Sequence, residues 1–427
     1  MSKCIATKDV VLRRARVAVG AFVALVTMHA RADEPATPPP DPPPVAEPAP
    51  APPAPAAAPE PPDHGGAIDV RASTSIAGYG DNNHVFVFSP TIGGTIENPT
   101  AGYSVNGRYL ADVVSAASAD IVSTASRRWE EVRHVGTVGG TYKPNEWGMS
   151  GNADVSIEPD YQAYTFAGSV TRDLLDKNLT LLLGYELGHD ISGRHGTPFS
   201  VFSRKIEHSD FKGGFTYLLD RATLVSGVAD VVVETGDTSK PYRYVPMFAP
   251  GVAVPNGASV EVVNQIRLPV RVLEQLPTAR TRYALAGHIA HRFDGWTLRA
   301  EERLYTDSWG LHASTTDLRL IFDLGDRVDA GPHLRFHGQT PVAFWSRAYV
   351  LRPGFDYPAL RTGDRQLGPL RAYTGGAALH VSLGSRPKER NWLLGFDLNV
   401  TETRFLDDIF LDERLSVVGS VGLEARF

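Results

Sequence analysis

Sulfur chemistry is almost absent from this 427-residue chain: its one cysteine, Cys4, lies in a basic amino-terminal stretch. If that stretch is removed on export no thiol remains, which excludes disulfides, thiolate metal sites and cysteine nucleophiles together. No apolar run beyond the amino terminus approaches the roughly 18–20 residues that a membrane-crossing helix needs, so a helical transmembrane bundle is excluded as well. Glycine-rich phosphate loops, EF-hand loops and Ser/His/Asp signatures are missing. Positive charge is not in excess either, the formal net charge being −6.

What the amino terminus does hold reads as an export signal over residues 1–32. Lys3, Lys8, Arg13, Arg14 and Arg16 make a basic start, Val17 to Met28 an apolar stretch, and Ala30-Arg31-Ala32 a small-x-small cleavage site. The pair Arg13-Arg14 sits in LRRARV, a poor match to a twin-arginine signal. Cleavage after Ala32 removes six basic residues and Asp9, taking the formal charge from −6 to −11, and a chain so acidic is not expected to bind nucleic acid. Residues 33–65 follow as a linker, about half proline over 33–63 with Ala, Asp and Glu in most other places. Proline fixes φ and removes backbone donors, so this segment is expected to be a semi-rigid polyproline II spacer, roughly 90 Å long at about 3.1 Å per residue. It serves either as a periplasmic tether or as a docking site for an envelope partner.

From residue 66 to 427 the sequence repeats one unit, about a dozen alternating residues and then a break rich in Gly, Pro, Asn or Asp, which predicts strands throughout. LTLLLGYELG puts Leu179, Leu181, Leu183, Tyr185 and Leu187 on one face and Thr180, Gly184, Glu186 and Gly188 on the other. NWLLGFDLNV and RVDAGPHLRFH divide in the same way, and their polar faces are charged. The breaks alternate in length. NPTA, KPNE, LLDKN, LDRA, FDG, LGDR and SRPKER are tight, whereas the connections near 119–128, 192–209, 237–279 and 340–366 are long. Short turns on one side and long loops on the other is the plan of an outer-membrane barrel, and seven short turns with both termini on the short-turn side predict sixteen strands. The expected fold is therefore an all-β, transmembrane antiparallel barrel over 66–427, in the outer membrane of a Gram-negative bacterium.

Aromatics fit that plan. Tyr142 and Trp147 flank KPNE, Phe293 and Trp296 flank FDG, Phe322 precedes LGDR and Trp392 follows SRPKER, which predicts an interfacial girdle beside the short turns. In the last segment, SVVGSVGLEARF, Val417, Gly419, Val421, Leu423, Ala425 and Phe427 share the apolar face. The aromatic at 427 resembles the signal by which barrel-assembly machinery recognises its clients.

Residues 109–134, YLADVVSAASADIVSTASRRWEEVRH, carry a pattern that resembles a family of uncharacterised outer-membrane barrels, domain of unknown function 3570. GHDISGRHGTPFSVFSRK (188–205), SKPYRYVPMFAPG (239–251), RLYTDSWGLHAST (303–315) and LRTGDRQLGPL (360–370) are similar to its other shared blocks. The resemblance implies a barrel and brings no activity or functional residue with it.

Several charges are predicted to face the lumen: Arg299, Glu301 and Arg303 on one strand, Asp317 and Arg319 on the next, and Asp329, His333, Arg335 and His337 on the one after. They form either a mixed-sign ladder that stiffens the wall or a selectivity stripe. Strict alternation turns Glu302 toward lipid, which calls for a bulge or for a place near the interface. His189-Asp190, His195, His208 and Asp210 invite comparison with rim hydrolases, but nothing fixes a nucleophile or an oxyanion donor, so no enzyme and no cofactor are expected. His189 and His195, six residues apart, fix no metal geometry. The loops near 192–209, 237–279 and 340–366 carry net +2, +1 and +2. That charge suits lipopolysaccharide phosphates. Alternatively, the longest loop folds inward and sets Arg243, Arg267 or Arg271 beside Tyr242 and Tyr244 as a basic constriction that favours anions. The reading that follows is a pore or transporter for small hydrophilic solutes, with a plugged surface or structural barrel that anchors or binds a partner as the alternative and a rim-located hydrolase as the third.

Overall fold

A computed structural model describes residues 68–116, 129–383 and 392–427. The expected signal, the proline-rich linker, the SRPKER turn and part of the 109–134 block lie outside them. Nine strands follow one another from the start: β1 (Asp69–Asp81), β2 (Val85–Asn98), β3 (Tyr103–Ala116), β4 (Trp129–Tyr142), β5 (Trp147–Ile157), β6 (Tyr161–Leu174), β7 (Leu179–Ser192), β8 (Arg204–Leu218) and β9 (Thr223–Gly236). A long loop then carries β10 (Tyr244–Val245), β11 (Met247–Phe248), helix α1 (Val260–Ile266) and β12 (Val272–Leu273). The wall resumes with β13 (Ala279–Phe293), β14 (Trp296–Asp307), β15 (His312–Asp323) and β16 (Val328–Gln339). After β17 (Tyr349–Val350) in a second long loop come β18 (Leu370–Leu383), β19 (Trp392–Phe405) and β20 (Glu413–Arg426). Leaving out the four two-residue strands, sixteen strands close an antiparallel barrel in chain order, β20 pairing with β1. The strand count read from the turns is the observed one.

Alternation sorts the side chains. Leu183 is 72% exposed and Ile92, Phe166 and Leu334 are each 60% exposed, all on the outer face. Water would penalise a belt of this kind at about 25 cal/mol per Å2 of apolar surface, whereas hydrocarbon satisfies it, and closure leaves no unpaired strand edge in the lipid. At the turn side, Phe293 stacks on Trp296 with centroids 4.0 Å apart, Trp296 neighbours Phe322 at 6.3 Å, and Trp392 meets Phe427 edge-on at 6.4 Å. Glu302 points outward without a bulge, in register between Gly287 and Thr316. The hydroxyls of Ser314 and Thr316 donate to its carboxylate at 2.6 and 2.5 Å, so the charge is solvated by its own sheet.

Closure depends on the last residues. The Phe427 N–H donates to the Val70 carbonyl at 2.8 Å and Arg426 pairs with Asp69. Phe427→Ala keeps the backbone bonds and removes only the ring. If that ring is the assembly signal, the variant should reach the periplasm but insert poorly, as read by the fraction of heat-shifting barrel in membranes. Wild-type insertion would reduce the ring to ordinary girdle packing.

Candidate functional site

The loop side differs from the turn side in content as well as length. Three of its connections are tight, 82–84, 158–160 and 308–311, but 237–278, 340–369 and 406–412 pack together into a cap with its own apolar interior. Phe248 and Met247 are wholly buried, and Val263 and Val342 almost so. Phe248 clusters with Val254, Ala258, Val263 and Ile409, and Met247 with Val245, Val272 and Tyr349. The base of the cap rests on inward-facing wall residues near the upper strand ends. Tyr305 and Ala313 pack against Leu276, Trp309, Leu311, Val342 and Leu367, while Leu370 and Phe405 pack with Leu411.

Loop 237–278 begins and ends at adjacent strands, Thr235 pairing with Ala279, so its length is not needed to span any gap. It uses that length to cross the mouth. Near its start Lys240 lies over the Tyr161 ring of β6 at 5.8 Å, and the Tyr242 hydroxyl accepts from the His195 N–H and donates to Asp160 at 3.4 Å. Further along, Gly257 and Ala258 donate to the Asp408 and Ile409 carbonyls at 2.9 and 2.8 Å, and Asn256 reaches the Phe405 carbonyl. β6 and β19 stand almost opposite each other in the ring. Gly236 makes the exit possible: its φ is +126°, and a Cβ there would come within 2.3 Å of the Lys205 carbonyl oxygen.

A buried charge network holds the cap. Glu274, its side chain fully buried, accepts from Arg243 Nη1 at 3.2 Å, from the Lys240 N–H at 3.0 Å and from Thr362 Oγ1 at 2.6 Å. Arg243 also meets Asp364 at 3.0 Å. Burial alone would raise the Asp364 carboxyl, but Arg243 and the Gln366 N–H outweigh it and hold it below the ordinary carboxylate range. Arg243 is therefore an internal strut and not the exposed constriction cation that the sequence suggested, because two acids distant in sequence enclose it. Arg267 and Arg271 do come together with Tyr244, around a cavity of about 20 Å3, Arg271 stacking over the ring at 4.5 Å. Tyr242 is not part of this group.

Below the cap, alternation turns Arg299, Glu301, Arg303, Asp317, Arg319, Asp329, His333 and Arg335 to the lumen, in adjacent rows. Asp317 binds His333 at 2.7 Å and Arg319 at 3.1 Å, His333 reaches Asn399 at 2.8 Å, and Asp329 pairs with His380 at 2.7 Å. The wall is thus a cross-strand ladder of mixed sign, extended by Arg282–Glu234 at 2.7 Å. The histidine-rich rim does not form one site. His189 points outward toward Glu207, whereas Asp190 points inward and accepts from Tyr161, and His208 faces Glu186.

Sequence comparison settles the kinship. The family model described as "Protein of unknown function (DUF3570)" matches residues 90–396, most of the chain. The chain belongs to the DUF3570 family. In this DUF3570 protein, segments 239–251, 303–315 and 360–370, which carry the resemblance, lie in the cap and in the β14–β15 hairpin beneath it, and 188–205 lies on the adjoining rim. No curated protein matches the chain. Among solved structures it is similar to OpdO of Pseudomonas aeruginosa, at 9% identity over 84% of this chain and 96% of that one with a TM-score of 0.41. It is also similar to a bacterial polysaccharide outer membrane secretin, at 8% identity over 84% and 98% with a TM-score of 0.42. For the CymD monoaromatic hydrocarbon channel the identity is 10%, over 84% and 88%, with a TM-score of 0.38. Likenesses this distant carry no argument about the role of the DUF3570 barrel.

Proposed function

We propose that this protein is an outer-membrane pore for small hydrophilic solutes, its outer mouth narrowed by the folded cap. One observation carries the reading: loop 237–278 bridges nearly opposite sides of a closed barrel whose inner wall is a hydrogen-bonded ladder of charges. A merely structural barrel has no need to keep a charged wall wet beneath a shaped mouth, whereas a pore uses both to select by size and charge. The net positive long loops face lipopolysaccharide, and the outer belt faces lipid. Anion preference is assigned to Arg267 and Arg271, since Arg243 is neutralised inside the cap. In planar bilayers under a salt gradient the reversal potential should indicate anion preference, and Arg267→Glu with Arg271→Glu should weaken or invert it. Cation preference in the wild type would overturn the assignment.

The cap also favours a second reading, an outward-facing binding barrel. A cleft of about 320 Å3 opens on it between Ala249, Pro250 and Leu268 on one side and Leu351 to Tyr357 on the other. Absence of any conductance would favour this reading over the pore.

A further inference from the structure

Three carboxylates meet at the inner edge of the mouth. Glu131 is the inward-facing residue near the upper end of β4, and Glu158 and Asp160 flank Pro159 in the turn between β5 and β6. Continuing the β4–β5 register, in which His134 faces Ile157, sets Glu131 opposite Asp160. One oxygen from each of the three acids lies within 4.8 Å of the others. Glu131 and Asp160 are each only 7% exposed, and both Glu131 oxygens are buried without a hydrogen-bond partner.

An unpaired, dehydrated carboxylate beside two more acids is costly unless a cation joins it. Among the described residues the nearby arginine and lysine are already engaged. Arg133 is bound by Asp112 through Nε at 2.9 Å and reaches Glu158 only at 3.9 Å, and Lys240 sits over the Tyr161 ring. Among the described residues, and counting Asp112, four carboxylates face two fixed cations and His195, so negative charge is in excess, as a divalent ion requires. Burial raises the Glu158 and Asp160 carboxyls, against the pull of Arg133 and Lys240 on Glu158 and of His195 on Asp160.

We propose that Glu131, Glu158 and Asp160 bind a hard divalent cation of the calcium class at the rim of the mouth. Every donor is a carboxylate oxygen, which suits calcium, with bonds of about 2.3–2.6 Å and a tolerant geometry completed by water. The site has a mechanical consequence, because Asp160 also accepts from Tyr242 of the cap, and its carbonyl accepts from the Gly193 N–H of the β7–β8 loop at 2.7 Å. An ion there fastens β4, the 158–160 turn and the first arm of the cap to one point. This latch is independent of whether the barrel conducts.

The test uses the full barrel in detergent, free of lipopolysaccharide and stripped with EDTA, titrated with CaCl2 by calorimetry. One site is expected, and Glu131→Gln should weaken it at least about tenfold by removing a charged ligand. Calcium should slow trypsin cleavage after Arg243, beside Tyr242 in the first arm of the cap, severalfold in the wild type and leave the variant unchanged. In EDTA the variant should be at least as heat-resistant as the wild type, because it has lost a buried unpaired charge, and Asp160→Asn should also lose the calcium response. No calcium binding by the wild type, equal binding by Glu131→Gln, or a variant less stable than wild type in EDTA would each overturn the proposal.

Discussion

Glu274→Ala should release the cap while leaving the barrel closed. Glu274 is the acceptor on which three parts of the cap converge: Arg243, the Lys240 N–H and the Thr362 hydroxyl. Removing one partner of a buried pair leaves the other charge without adequate compensation, at a cost of about 3–5 kcal/mol. Asp364 remains beside Arg243 but cannot replace the bonds to Lys240 and Thr362, and the apolar clusters of the cap are small. The wall has a different source of stability, sixteen strands in continuous register. Trypsin should therefore cut rapidly at Arg243, Arg267 or Arg271 in Glu274→Ala, while the folded barrel still migrates faster unheated than boiled. Glu274→Gln, which retains an acceptor, should fall between the two. A variant as resistant to trypsin as the wild type would show that the network does not hold the cap.

The wall was legible in the sequence because its rules are local. Period-two alternation placed Leu179 to Leu187 outward, and the seven tight turns gave the strand number, because a side chain's face and a hairpin's length are fixed within a dozen residues. The aromatic girdle was readable for the same reason, since Phe293, Trp296 and Phe322 lie beside their turns in sequence and in space. The cap was only half legible. Its length marked loop 237–278 as more than a connection, but the partners of Arg243 are Glu274 and Asp364, 31 and 121 positions away, and no periodicity links residues so far apart. Charge counting consequently took Arg243 for an exposed cation. Segment 406–412 was missed because it reads as one more turn, although Ile409 and Leu411 belong to the cap interior. The cluster of Glu131, Glu158 and Asp160 was invisible for a related reason, since only the β4–β5 pairing carries Glu131 to the 158–160 turn.

Shortening the cap loop should give the largest functional change. The ends of β9 and β13 are neighbours, with the Gly236 N–H already bonded to the Thr278 carbonyl at 2.9 Å, so a tight Asn-Gly turn can join residue 237 to residue 278 without strain on the wall. Loss of this loop removes α1, β10, β11 and β12 and the bridges to Asp160 and Asp408, which among the described residues leaves the mouth framed by 340–369, 406–412 and the shorter rim loops. The pore reading makes the cap the main resistance to flow. Single-channel recording of the wild type and the shortened protein, under the same salt and voltage, tests it most directly. The account predicts small, discrete wild-type openings and a severalfold larger conductance once the loop is gone, with heat-dependent migration unchanged. Equal conductance in the two proteins, or silence from both, would contradict it.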